Sequence, residues 1–252
     1  MKNLFFLSFV LVVFACQKKE NNAELKNVTT QDSHTFSNPQ AAVVKHLDLD
    51  IKVDFDTQTI AGKASWTIDN LSKGNEIILD ENTLNISKVT LDKDEKPTTF
   101  TLGKEVEFHG KPLHISIEPN TTQVNIYYST TKDAIALQWL KPEQTADKKY
   151  PFLFSQGESI WSRTWIPCQD SPAIRFTYNA KVSVPKELMA VMSAVNPQQK
   201  NNTGIYTFSQ TKAIPSYLMA IAVGDIGFKS IDQRTGVYAE KSVLNKAAWE
   251  FG

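Results

Sequence analysis

Cysteine is scarce. The chain has 252 residues and two cysteines, Cys16 and Cys168; a pair so widely separated makes no disulfide framework, so stability has to come from packing. Net charge is missing too. Lys plus Arg and Asp plus Glu each number 27, and no basic block tracks a phosphate backbone, which argues against nucleic acid as a partner. Histidines number four, and His-Glu-x-x-His is absent. That pattern would set two imidazoles on one helix face around a zinc, with a glutamate to activate its water. The long apolar run, residues 4–14, is too short to cross a bilayer. No internal repeat is present. What the chain does have is 41% apolar residues, enough for the core of one large domain, or of one domain and a fragment.

The residues with metal or nucleophile chemistry are dispersed. His34 falls in a polar stretch and His46 at a strand start, while His109 and His114 flank a Gly-Lys-Pro turn. His114 alternates outward from Leu113, Ile115 and Ile117, as a solvated strand position does. Cys168 reads as a buried structural thiol in preference to a nucleophile, because no histidine stands where a base would. The Asp and Lys residues from Asp48 to Asp54 form a solvated strand face and carry no calcium site.

Lys2 and the apolar run behind it read as an export signal over residues 1–15. The run closes on Val13-Phe14-Ala15-Cys16, which resembles the lipobox of bacterial lipoproteins, where the cysteine is acylated. The expectation is lipidation at Cys16, the alternative being an ordinary signal peptide with an incidental cysteine. Residues 16–37 are polar and aperiodic and read as a flexible tether, with an end-to-end distance of about 25 Å. The expected location is the bacterial cell envelope, anchored to a membrane through lipid and facing the periplasm or the cell surface.

From Lys45 onward the period is two. Leu47, Leu49, Ile51, Val53 and Phe55 alternate with Asp48, Asp50, Lys52 and Asp54, the pattern of a strand buried on one face. Ala64, Trp66 and Ile68 resume it after a polar turn, which predicts a hairpin. Strand-like runs follow at 76–79, 85–91, 113–117 and 124–128. Residues 174–184 give the longest regular alternation, ended by Pro185, and 189–194, 204–208 and 217–223 add three more. Many short strands with close turn signals predict an all-β, antiparallel, saddle-like or sandwich-like domain over residues 38–239. Only Val243, Leu244, Ala247, Ala248 and Phe251 have helical spacing. That helix is expected to have nothing behind it to pack against, and residues 240–252 are read as the opening of a second, truncated domain.

The segment Pro151-Phe152-Leu153-Phe154-Ser155-Gln156-Gly157-Glu158-Ser159-Ile160 is aromatic, polar and loop-like, and loops on rigid scaffolds carry sites. Four blocks in order, Leu137-Gln138-Trp139-Leu140-Lys141-Pro142-Glu143-Gln144-Thr145, Phe154-Ser155-Gln156, Pro167-Cys168-Gln169-Asp170-Ser171-Pro172 and Val182-Ser183-Val184-Pro185-Lys186-Glu187-Leu188, resemble the M1 zinc aminopeptidases, in particular the leukotriene A4 hydrolase-like branch. The likeness runs from about Ser37 to the end. It implies a β saddle that lends a loop to the active-site cleft of a zinc catalytic domain, with a helical domain beyond; on this view residues 240–252 begin the zinc domain, and zinc belongs to the intact parent enzyme and not to this chain.

The resemblance further implies that Glu158 receives the free α-amine of a peptide substrate while Gln156 hydrogen-bonds at the same end. A carboxylate there is chemically apt, because an α-amino group is largely cationic at neutral pH. Glu158 stands where the leukotriene hydrolase branch usually has glutamine and the aminopeptidase N branch glutamate, and Gly157 where the family commonly has cysteine, so peptide N-termini are favoured over a lipid epoxide. Purely structural roles are a carboxylate paired with a neighbour such as Arg163, and a satisfied loop amide for Gln156. Trp139, Trp161 and Trp165 read as core or domain contact rather than as a subsite.

Two other readings compete with a substrate-orienting domain whose chain alone is inactive. One is a non-catalytic, lipid-anchored β-sandwich that binds sugars or proteins. The other is a remnant that docks on another zinc protease through an apolar patch.

Overall fold

A computed structural model describes residues 32–252. The signal, Cys16 and most of the expected tether therefore lie outside the described residues. Sixteen strands run through these residues in chain order. They begin with β1 (Ala42–Asp54), β2 (Thr59–Asn70), β3 (Glu76–Glu81), β4 (Asn85–Leu91), β5 (Lys96–Pro97), β6 (Phe100–Leu102), β7 (Lys111–Ser116) and β8 (Gln123–Ser129). They continue with β9 (Leu137–Leu140), β10 (Phe152–Ser155), β11 (Arg175–Ser183), β12 (Met189–Met192), β13 (Ile205–Pro215), β14 (Ile221–Gly224), β15 (Ile226–Ser230) and β16 (Gly236–Glu240). One helix, α1 (Leu244–Glu250), follows.

The largest sheet has the order β13-β11-β1-β2-β8-β4-β5, and a four-stranded sheet has the order β12-β14-β10-β9. The strands β3-β7-β6 and the hairpin β15-β16 make two smaller sheets. The expected β1–β2 hairpin is present, with Leu47 opposite Trp66 and Ile51 opposite Gly62. Among the described residues every strand pairing is antiparallel except one. β1 and β11 run parallel, Leu47 beside Tyr178 and Ile51 beside Val182, and the long excursion between them supplies the crossover that parallel neighbours require.

Alternation puts Leu47, Leu49, Ile51, Val53, Trp66, Phe176, Tyr178 and Val182 on one buried face, where the Trp66 and Phe176 rings meet edge to face at 4.8 Å. The opposite face keeps Asp48, Asp50, Lys63 and Lys181 along a broad, open concavity. β1 starts at Ala42, ahead of the expected Lys45. A bulge between Val44 and His46 shifts the phase, so Ala42 and Val44 are buried along with Leu47.

Three further expectations change. The stretch read as loop from Pro151 includes strand β10, which lies inside the four-stranded sheet between β9 and β14; its three consecutive apolar side chains, Phe152 to Phe154, give too little alternation to announce a strand. The run at 217–223 opens with a short 3-10 turn at Ser216–Leu218, and its strand begins at Ile221. Helix α1 lies on the β15-β16 hairpin. Val243, Leu244, Ala247 and Ala248 are half-buried there, while Trp249 and Phe251 are exposed.

Candidate functional site

The Gln156-Gly157-Glu158 segment leaves the end of β10. Its entry is fixed by the Gln156 N–H, which donates to the Ala136 carbonyl at 2.8 Å, and its exit by the Trp161 N–H, which donates to the Gly157 carbonyl at 2.9 Å. Gly157 is buried between them. A Cβ at that position would come within 2.8 Å of Ser162 Oγ and 3.1 Å of the Tyr217 backbone. The absence of a side chain there thus lets the turn lie flat against the residues around Tyr217.

Glu158 is exposed and makes no ion pair among the described residues. Glu158 borders a recess of about 370 Å³, together with Ser159, Ile160, Pro172 and Tyr217. Asp32 and His34 line the same recess. Gln156 lies beside it without lining it: its side-chain carbonyl accepts the Glu158 N–H at 3.3 Å. Gln156 is thus a loop amide that shapes the turn carrying Glu158.

Arg163 is not the partner of Glu158. Its side chain is wholly buried and pairs with Asp170, Nε to Oδ2 at 3.1 Å, with Asp80 Oδ2 3.8 Å away. The guanidinium also donates to the His109 carbonyl at 2.8 Å and to the His34 carbonyl at 2.7 Å. Asp170 receives Ser216 Oγ at 2.5 Å and the Arg163 N–H at 3.2 Å. Asp80 receives the Asp170 N–H at 2.8 Å, the Phe36 N–H at 2.7 Å and Thr35 Oγ1 at 2.5 Å. Two carboxylates thus share one guanidinium in a buried site, and burial holds the Asp170 carboxyl above the usual carboxylate range despite Arg163 and Ser216 pulling it down.

This cluster corrects the tether. Its last six residues, 32–37, are tied down by hydrogen bonds, although Ser33 and His34 stay exposed: Asp32 accepts Ser171 Oγ at 2.7 Å and the His34 N–H at 2.9 Å, and Ser37 is buried. Burial raises the Asp32 carboxyl, but the hydrogen bonds from Ser171 and His34 outweigh it and hold the carboxyl below its ordinary value. A polar, aperiodic composition gave no sign of this anchoring, because the long-range contacts are hydrogen bonds with the side chains of Asp80, Arg163 and Ser171, more than forty residues away.

The other residues singled out in the sequence have structural settings. Gln169 stitches strands together, its Oε1 accepting the Val44 N–H at 3.0 Å and its Nε2 donating to the Ala42 carbonyl at 2.9 Å. Cys168 is buried, and burial, then Asp170 and Asp80, push its thiol well above the ordinary range. Trp165 is core, Trp139 packs edge to face on Phe55 at 5.3 Å, and Trp161 is partly buried against the core. His114 Nδ1 lies 3.1 Å from Glu76 Oε1 on the outer strand face. Among the described residues no three His, Cys, Asp or Glu side chains converge as a metal site would need.

Residues 43–218 match the Peptidase M1 N-terminal domain, a span that includes the Glu158 loop and Tyr217. The chain is 40% identical over 231 residues to leukotriene A-4 hydrolase of Xenopus laevis, covering 87% of this chain and 38% of that protein. Against leucine aminopeptidase 2 of Kluyveromyces lactis it is 39% identical, covering 87% of this chain and 33% of that protein. Among solved structures, leukotriene A4 hydrolase from Saccharomyces cerevisiae superposes with a TM-score of 0.81 at 33% identity, over 90% of this chain and 36% of that one. An M1 zinc metallopeptidase from Deinococcus radiodurans shares the fold, with a TM-score of 0.59 at 18% identity over 81% of this chain and 48% of its own. The chain thus spans about a third of the length of the curated relatives it matches.

Proposed function

We propose, from the premise that this chain belongs to the M1 peptidase family and carries its N-terminal domain, that it orients peptide N-termini for a zinc-dependent aminopeptidase. The observation that carries the reading is the setting of Glu158: an exposed carboxylate with no cationic partner among the described residues, at the edge of a recess, on a loop anchored at both ends. A carboxylate held in this way favours a substrate with a free ammonium over an internal peptide bond, since a charge-assisted hydrogen bond is stronger than a neutral one. Gln156 acts one step back, holding the Glu158 N–H and so the direction of the carboxylate.

Zinc is proposed for a catalytic domain in the same parent polypeptide, where it would polarise the scissile carbonyl and activate water. The donor set among the described residues of this chain does not fit a zinc site, so the part assigned to these residues is binding and orientation alone. Lipidation at Cys16 and a place on the bacterial cell envelope belong to the same proposal. Loss of lipid labelling in Cys16→Ser is the expected result, and unchanged labelling rules the anchor out.

The central test is hydrolysis of alanine and arginine amide reporters by this chain and by the longer reading frame, with zinc and with a chelator. Activity in the long form only, abolished by chelation and reduced about tenfold or more in kcat/KM by Glu158→Gln, is expected. If both forms remain folded and neither cleaves the reporters, the aminopeptidase reading fails and a non-catalytic binding module takes its place.

A further inference from the structure

The buried ionic cluster bonds to, or lies within five residues along the chain of, each piece of chain that borders the Glu158 recess. The Arg163 guanidinium donates to the His34 carbonyl, and Arg163 itself follows shortly after residues 158–160. Ser216, bonded to Asp170, immediately precedes Tyr217. Pro172 lies two residues beyond Asp170, and Ser171 between them holds Asp32. A side chain placed by such a hub moves when the hub loses a member.

The least expected part of this arrangement is the strap, residues 32–37, which precedes β1 and is not part of any sheet. Thr35 is its pin. The Thr35 hydroxyl donates to Asp80 Oδ2 at 2.5 Å, lies 2.7 Å from Ser37 Oγ and accepts the Ser37 N–H at 3.1 Å. Beside it the Phe36 N–H donates to the other Asp80 oxygen. Three residues before Thr35, Asp32 enters the recess wall, its carboxylate turned by Ser171 and by the His34 N–H.

We infer that this strap is a working wall of the substrate-end recess, and that Thr35 is a positioning residue which, through Asp80, holds Asp32 and His34 beside Glu158. The inference rests on the proposed amine-binding role of that recess. Thr35 does not line the recess and touches no substrate. It acts by fixing where the wall stands, so its loss weakens the capture of the substrate's end and leaves the bond-breaking step alone. The strap is also where the segment leading from Cys16 joins the domain, so the same residues that end the leader complete the site.

Thr35→Val keeps the shape of the side chain and removes the hydroxyl; Thr35→Ser keeps the hydroxyl. Amide hydrogen exchange on the 252-residue chain is expected to accelerate at residues 32–37 and 158–160 in Thr35→Val and to return to the wild-type rate in Thr35→Ser. In the longer polypeptide, Thr35→Val raises KM for an alanine amide reporter about tenfold with kcat within about twofold, and Thr35→Ser restores KM. Glu158→Gln serves as the control. If Glu158→Gln raises KM while Thr35→Val leaves both KM and exchange at 158–160 unchanged, the strap is only an anchor and the inference is overturned, with the amine-binding reading intact. If neither substitution moves KM, or the wild type cleaves nothing, the reading itself has fallen and the inference falls with it.

Discussion

Removing the guanidinium at Arg163 puts the buried cluster to its most direct test. In Arg163→Met the side chain keeps most of its length and apolar stem, while Asp170 loses its 3.1 Å partner and the His34 and His109 carbonyls lose their donors. Both Asp80 and Asp170 are buried, so neither carboxylate can recruit bulk water in exchange. Breaking a buried pair by deleting one member costs about 3–5 kcal/mol, and in a domain of this size each kcal/mol moves the melting temperature about 2–4 °C. The expected drop is therefore roughly 6–20 °C at neutral pH, read by circular dichroism melting alongside a urea titration.

The same variant carries a pH signature. Burial already raises Asp170, and Arg163 is among the groups that oppose it; without Arg163 the carboxyl rises further. A raised carboxyl binds its proton more tightly folded than unfolded, so its contribution to stability is full below the unfolded value and is lost as pH rises through the folded one. The gap between variant and wild type should therefore be widest at neutral pH and should narrow as pH falls into the range between an ordinary carboxyl and the raised Asp170. A loss below about 1 kcal/mol at neutral pH, or a gap that widens on acidification, refutes the argument.

Other substitutions probe single contacts. Gly157→Ala places a methyl against Ser162 Oγ and the Tyr217 backbone and is expected to cost about 1–3 kcal/mol; part of that cost is recovered in Gly157→Ala/Ser162→Gly, and strict additivity in the double-mutant cycle denies the contact. In a Cys16→Ser background, Cys168 should resist iodoacetamide at pH 8 while folded and react once urea unfolds the chain, because burial both shields the thiol and holds its proton; rapid native labelling contradicts this. Burial raises the Asp225 carboxyl, but Lys200 and then Lys241 outweigh it and leave it lowered. Asp225 thus contributes stability above the unfolded value that is lost as pH falls through the folded one, and Lys200→Met should shrink that acid-dependent loss in pH-dependent melting.

Much of the β architecture was legible because a half-buried strand writes itself in alternation. The strand from Arg175 to Ser183 was read within a residue at each end, having a long regular alternation and a stop at Pro185, and the one from Asn85 to Leu91 at both ends although an irregularity between Ile86 and Lys88 breaks its alternation. β10 was not, since Phe152-Leu153-Phe154 offers no polar partner to alternate with, and β15 and β16 are short strands whose hairpin buries little. The parallel β1–β11 pairing has no local signature, because direction of pairing is decided by the path of the chain between the strands. At the recess, family likeness alone singles out Glu158 as a candidate, and the strap packed beside it has no signature in the sequence. Nothing in Asp32-Ser33-His34-Thr35 announces a wall, since its partners Ser171, Asp80 and Arg163 are distant in sequence and meet it only in the fold.

The composition of the hub bears on why it exists. A buried ion pair is weak grounds for stability, because a well-packed apolar replacement is often as stable or more so. Two carboxylates on one guanidinium make a poorer bargain still, with one negative charge left for hydrogen bonds alone to satisfy. Those bonds, however, point outward to the Thr35 hydroxyl, the Phe36 N–H and the Ser216 hydroxyl, so the excess charge is what reaches the strap and the chain beside Tyr217. An apolar hub would pack and hold none of them. Arg163→Met/Asp170→Leu distinguishes the two roles: it removes one charge of each sign and leaves Asp80 in place. It is expected to melt above Arg163→Met alone while hydrogen exchange at residues 32–37 and 158–160 stays fast. Recovery of slow exchange together with stability would mean that packing, not the ionic contacts, places the recess.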